Sequence, residues 1–178
     1  MKYYEYYCLY NVIYCSQSKY FTYFKCVKLF YNKRSICFTV QASAGSAVAF
    51  SAFISNTLRL SLHQDVIFDH VITNVGEAYN AQSGHFVAPK PGLYVFYVVL
   101  TNTPGHAASA NLLHNGRMIT ELLADDVDNA YLTSTQVAIV QVERGDQVWL
   151  QNEHQFSTIE EFDGYLWSSF SGHLIQYN

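Results

Sequence analysis

Residues 68–97 read FDHVITNVGEAYNAQSGHFVAPKPGLYVFY and hold an apolar strand, a run of turn formers with a short strand of its own, and a long apolar strand. Val66, Phe68 and His70 alternate with Ile67, Asp69 and Val71, a period of two that suits a pleated strand rather than a helix. Asn74, Gly76, Asn80, Ser83 and Gly84 tolerate tight or left-handed backbone. His85 to Val87 make a short strand that Pro89 and Pro91 stop, because proline removes the backbone donor and fixes φ. From Leu93 to Leu100 the chain is apolar on both alternating faces, which predicts a strand covered from both sides.

Outward from this stretch the same pattern repeats. Ala47 to Ile54 reads as the first strand, with Phe50, Ala52 and Ile54 sharing a face, and polar Ser55 to Gln64 reads as loop. Downstream, Pro104-Gly105 marks a turn. Ser109 to His114 and Arg117 to Glu121 flank Asn115-Gly116, the strongest short-range hairpin signal, since both residues accept the positive φ of a type I′ turn. Tyr131 to Glu143 is a long run rich in Thr, Val and Ile that turns at Arg144-Gly145 into Asp146 to Asn152. A polar, acidic loop at Glu153 to Gly164 precedes a last strand at Trp167 to Tyr177. Nine or ten short strands without an amphipathic helix predict an all-β antiparallel sandwich.

The chain changes character near residue 40. Residues 1–40 hold six basic side chains against Glu5, a net of +5, with nine of the fifteen tyrosines and all four cysteines. Residues 41–178 hold four basic side chains against thirteen acidic ones, a net of −9, and all seven histidines. The expected division is an N-terminal basic Tyr/Cys-rich arm, residues 1–41, poorly ordered, and a globular domain, residues 42–178, entered through the small-residue linker Ala42 to Ser46. At this size a domain buries about 70% of its unfolded surface and needs no staples. An acidic domain is a poor partner for nucleic acid, which requires clustered Lys and Arg.

The arm itself leaves three readings open. A basic aromatic segment is compatible with nucleic acid but shows no known module. Cysteine spacings of 7, 11 and 11 lack the paired Cys-x-x-Cys of zinc sites, leaving intermolecular disulfides or a metal knot. The plainest reading is a poorly ordered leader, either an unprocessed or a wrongly predicted N-terminus. The apolar run between Cys8 and Cys15 is too short for a signal peptide and is broken by Asn11, and no stretch of about 20 apolar residues is present to span a bilayer.

Taken together, Phe68-x-x-Val71-x-Thr73-Asn74-x-Gly76-x-x-Tyr79-Asn80, Gly84-x-Phe86 and Pro89-x-Pro91-Gly92-x-Tyr94-x-Phe96 resemble the signature of the C1q globular domain, a relative of the tumour-necrosis-factor fold. Asn115-Gly116, Gly145 to Leu150 and Ser169 to Gly172 agree in order, so the resemblance covers about residues 46–178. It implies a ten-stranded antiparallel jelly-roll β-sandwich, with the first and last strands adjacent. It also implies a homotrimer, with the second apolar face of the strand from Tyr94 to Leu100 meeting another subunit. The function implied is non-enzymatic: a secreted, extracellular protein of innate immunity, binding glycans or microbial surfaces as a lectin-like pattern receptor. A cytokine-like or adhesion ligand that binds a protein receptor through the trimer surface is the second reading. No Gly-X-Y collagen run accompanies the domain, which sets it apart from complement subunits.

Candidate sites follow from residue chemistry. No nucleophile elbow, phosphate loop or His-Glu-x-x-His occurs, the histidines are scattered, and Glu160, Glu161 and Asp163 read as solvated loop acids rather than a glycosidase pair. The acidic loop around Asp125 offers hard oxygen donors of the kind Ca²⁺ takes, without the EF-hand glycine and glutamate. The resemblance places a calcium ligand near Asp128, with Asp126 beside it. Tyr165 and Trp167, at the end of an acidic loop with Asp163, are the expected ligand-binding residues, ring faces stacking on sugars while a carboxylate accepts hydroxyl hydrogen bonds. Trp149, opposite the face of Val148 and Leu150, is expected to be a packing residue.

Overall fold

The computed structural model describes residues 24–31, 34–41, 47–125, 129–152 and 160–177. The chain divides into two units at Ser46/Ala47. In the first, β1 (Phe24–Tyr31) pairs antiparallel with β2 (Arg34–Gln41), Phe24 opposite Gln41 and Tyr31 opposite Arg34.

The second unit is all strand: β3 (Ala49–Phe53), β4 (Leu58–Leu60), β5 (His70–Val75), β6 (Tyr79–Asn80), β7 (His85–Val87), β8 (Gly92–Thr101), β9 (Ala108–His114), β10 (Arg117–Ala124), β11 (Thr133–Val142), β12 (Gln147–Gln151), β13 (Glu160–Phe162) and β14 (Ser169–Tyr177). Ten of these form two five-stranded antiparallel sheets, one ordered β11-β8-β14-β3-β5 and the other β10-β9-β12-β7-β6. Strands β4 and β13 add a two-stranded ribbon. This is the jelly-roll sandwich expected, with the first strand of the unit, β3, directly beside the last, β14.

The core between the sheets is aromatic. Phe50 stacks on Tyr79 with ring centroids 5.0 Å apart and meets Phe170 edge-on at 4.8 Å, while Phe86, Phe96 and Tyr94 extend the cluster. Offset and edge-on pairs of this kind satisfy the ring quadrupoles and add about 0.5–1.5 kcal/mol beyond area burial. At Asn115 and Gly116 φ is 50° and 79°, the positive pair that the type I′ hairpin requires.

Three elements differ from the sequence reading. Val66 and Phe68 are fully buried, but the strand begins only at His70. The extended backbone ahead of it is satisfied singly, Phe68 N–H donating to the Tyr79 hydroxyl (3.2 Å), which in turn donates to the Phe68 carbonyl (3.1 Å). The loops 55–64 and 153–164 each contribute a short strand, β4 and β13, too short to register as periodicity. Strand β8 is buried on one face through Tyr94, Phe96, Val98 and Leu100, while the other face is covered only in part, Val95 being buried and Tyr97 exposed.

Candidate functional site

One end of the sandwich collects the turns that follow β3 and β8 and those that precede β11 and β14. Thr101 and Asn102, at the end of β8, are the tie point. Thr101 N–H donates to Ser168 Oγ (3.1 Å), its carbonyl accepts from Asp163 N–H (2.7 Å), and its hydroxyl meets that of Thr133 (2.9 Å). Asn102 N–H donates to the Leu132 carbonyl (3.1 Å) and its side-chain oxygen accepts from Leu132 N–H (2.6 Å).

The turn from Gly164 to Trp167 is fixed in an uncommon backbone conformation. Tyr165 and Leu166 both have positive φ, 51° and 71°, a cost of about 1–3 kcal/mol each for bulky residues that the surroundings must offset. They do so through backbone bonds: Tyr165 N–H donates to the Ser55 carbonyl (3.1 Å), Leu166 N–H to that of Ile54 (3.2 Å) and Trp167 N–H to that of Gly164 (3.0 Å). Gly164 makes this approach possible, since a Cβ there would fall 2.2 Å from the Asn56 carbonyl carbon. The result is three consecutive large side chains turned to solvent, with exposures of 74% at Tyr165, 46% at Leu166 and 65% at Trp167. Tyr131 and Leu132 are exposed on the neighbouring turn.

Of the three residues expected to bind ligand, the structure brings Tyr165 and Trp167 together on one tip. Asp163 lies at its base, 7% exposed, where burial raises its pKa and an N–H bond from Gly164 partly offsets that rise. Leu166 was missed. The signal available was an uninterrupted Tyr-Leu-Trp directly after a loop glycine; what pattern could not supply was the pair of positive φ values that turns all three outward.

The neighbouring acids are not solvated. Glu160 is buried and accepts from Ser109 N–H (2.7 Å) and Oγ (2.6 Å). Glu161 is buried too, paired with Arg59 (2.7 Å) and His106 (3.2 Å), and it accepts from the Thr103 hydroxyl (2.8 Å). These carboxylates fasten β13 to β9 and to the turn after β8. Their oxygens are engaged by Ser109, Arg59, His106 and Thr103 within the protein. Trp149 projects from the outward face of the second sheet, where its ring stacks on His85 at 4.6 Å, and His85 in turn meets Asp65 (3.1 Å) and Gln147 (3.0 Å).

The outward face of the first sheet is chemically distinct. Strand registers align Thr73, Ser51, Ser171, Tyr97 and Val137 in one row across it, and Val75, Ala49, His173, Val95 and Ile139 in the next. Neither row contains Asp, Glu, Lys or Arg. Val137 and Ile139 are more than half exposed, and the Tyr97 and His173 rings stack at 6.0 Å. A groove of about 520 Å³ opens here, bordered by Ala49, Ser51, Thr73, Ser171, Tyr97 and His173.

Asp126 and Asp128, the expected calcium ligands, lie outside the described residues. Among the described residues no three His, Cys, Asp or Glu side chains gather as a metal site, and no helix is long and apolar enough to cross a membrane.

Two five-stranded antiparallel sheets in this order form a jelly-roll sandwich of the fold shared by C1q and tumour-necrosis-factor domains. Within that class the chain belongs to the C1q domain family, whose signature matches residues 49–175. It is 32% identical over 130 residues to Caprin-2 of Danio rerio, a match that covers 72% of this chain and 14% of that protein. Among solved structures, the globular domain of zebrafish complement 1qA superposes with a TM-score of 0.64 at 18% identity, covering 75% of this chain and all of the other. Eiger TNF from S. frugiperda gives 0.59 at 13% identity, covering 74% and 93%. Murine APRIL gives 0.54 at 12% identity, covering 73% and 100%.

Proposed function

We propose that the chain is a non-enzymatic extracellular recognition protein that works as a homotrimer and binds glycan or microbial-surface ligands through the loop end carrying Tyr165 and Trp167. The observation that carries this reading is the uncharged, half-exposed face of β11, β8, β14, β3 and β5. A sandwich needs one buried face per sheet, and a contiguous uncharged second face with exposed apolar residues is suited to meet another surface. Three copies related by a closed threefold axis bury it without leaving an open edge.

The loop end supplies the recognition element. The rings of Tyr165 and Trp167 are held by a rigid turn, so their use as stacking surfaces costs little ordering on binding. Asp163 acts from beneath, holding the turn through its N–H bond to Thr101. Ca²⁺ is the ion that the Asp126 and Asp128 carboxylates suit by donor type; heat on CaCl₂ titration supports it and a flat titration removes it.

Array binding tests the ligand class. The wild-type chain is expected to bind a set of glycans or lipopolysaccharides, with binding lost in Tyr165→Ala and Trp167→Ala. Binding of a receptor protein with no response on the array would favour the cytokine-like or adhesion role instead.

A further inference from the structure

We propose that the Tyr165–Leu166–Trp167 turn is a membrane-insertion tip that seats in the headgroup and upper acyl region of a zwitterionic lipid surface. The proposal rests on the reading of this loop end as the binding end and gives its partner a chemistry.

The tip is convex and apolar. A site that takes a free sugar converges several polar groups on its ligand; here Asp163 is 7% exposed, and the exposed Asp69 is already engaged by the N–H and hydroxyl of Ser55. What projects is an indole, a phenol and an isobutyl group in succession. Tyr and Trp carry an apolar body with a polar edge, the combination that settles at a membrane interface, and Leu166 between them supplies a purely aliphatic point.

The backbone donors of the turn suit entry into an apolar medium. In lipid, each unpaired N–H costs several kcal/mol, which bars most loops. At this tip the N–H groups of Tyr165, Leu166 and Trp167 are all paired inside the protein, to Ser55, Ile54 and Gly164. The same bonds fix the backbone that presents the three side chains before any partner arrives, so insertion orders the side chains alone.

Charge selects the lipid. Residues 41–178 carry a net of −9, so anionic headgroups repel the domain while zwitterionic ones do not. Under any threefold axis the three copies of the turn lie in one plane, which matches a flat surface and multiplies a weak single insertion.

Phosphatidylcholine vesicles and the full chain test this. Wild type is expected to sediment with them, and Leu166→Ser or Trp167→Ala to lower partitioning on the order of tenfold, the effect of removing one large apolar group from a buried position. With brominated phosphatidylcholine, wild-type tryptophan emission is quenched, and Trp167→Phe, which leaves Trp149 as the one tryptophan, abolishes the quenching. Wild type that stays in the supernatant overturns the proposal, and so does vesicle binding that survives both tip substitutions. Glycan binding lost in Trp167→Ala without vesicle binding overturns insertion and leaves loop-end recognition standing; response to neither removes both.

Discussion

Gly172 and Phe96 are packed so closely that a Cβ on the glycine would fall 2.7 Å from Phe96 Cδ1, and 2.8 Å from Phe50 Cε1 as well. Both neighbours are buried rings in the aromatic cluster. Gly172→Ala is therefore an overpacking substitution, expected to destabilise the domain by about 1–3 kcal/mol. Urea unfolding reads this as a lower midpoint with an unchanged slope.

Tyr79 gives the opposite kind of test, a loss with no steric change. Its hydroxyl both accepts from and donates to the Phe68 backbone inside the core, and burial raises the phenol pKa far above its usual value of 10.0. Tyr79→Phe leaves a buried N–H and carbonyl without that partner and is expected to cost about 1–3 kcal/mol by the same measurement.

These two residues also mark what pattern could and could not reveal. The unbroken apolar run at β8, the Thr/Val/Ile-rich run at β11, the Asn115-Gly116 turn and the Pro89/Pro91 stop were legible because each follows from local backbone rules. Phe68 read as strand because its alternation is that of a core-facing extended segment, but its backbone bonds go to a side chain eleven residues away, a partner no local period encodes. Tyr165 and Trp167 were legible as loop aromatics. That Asp163, Glu160 and Glu161 are buried was not, since their partners are distant in sequence: Ser109 for Glu160, Thr103, Arg59 and His106 for Glu161, and the Thr101 carbonyl for Asp163 N–H.

Asp146 makes stability depend on acid. Its carboxyl accepts from Glu143 N–H (2.8 Å) and Asn115 Nδ2 (2.9 Å) and pairs with His114 (2.8 Å), which together hold its pKa below the ordinary 3.8 despite an opposing desolvation. A carboxyl whose folded pKa is depressed contributes stability that is fully present above its unfolded value and is lost as pH falls through the folded one. Thermal unfolding is expected to show a decline below about pH 4 that is shallower in Asp146→Asn; an identical decline in both proteins contradicts the assignment.

The uncharged sheet face predicts a clean separation of assembly from folding. Val137→Asp and Ile139→Asp place charges on exposed positions of β11, where a lone domain tolerates them within about 0.5 kcal/mol. Each is expected to leave the circular dichroism and unfolding of dilute monomer intact while abolishing the oligomer, because an unpaired charge at a desolvated interface costs far more than one in water. Loss of fold in both variants would place this face inside the monomer's own core.

Mass in solution tests the central claim most directly. Light scattering of the full chain at micromolar concentration is predicted to return three times the chain mass of 20.3 kDa, falling to one chain in Ile139→Asp. A wild-type value of 20.3 kDa across that range would contradict the assembly on which the recognition reading depends.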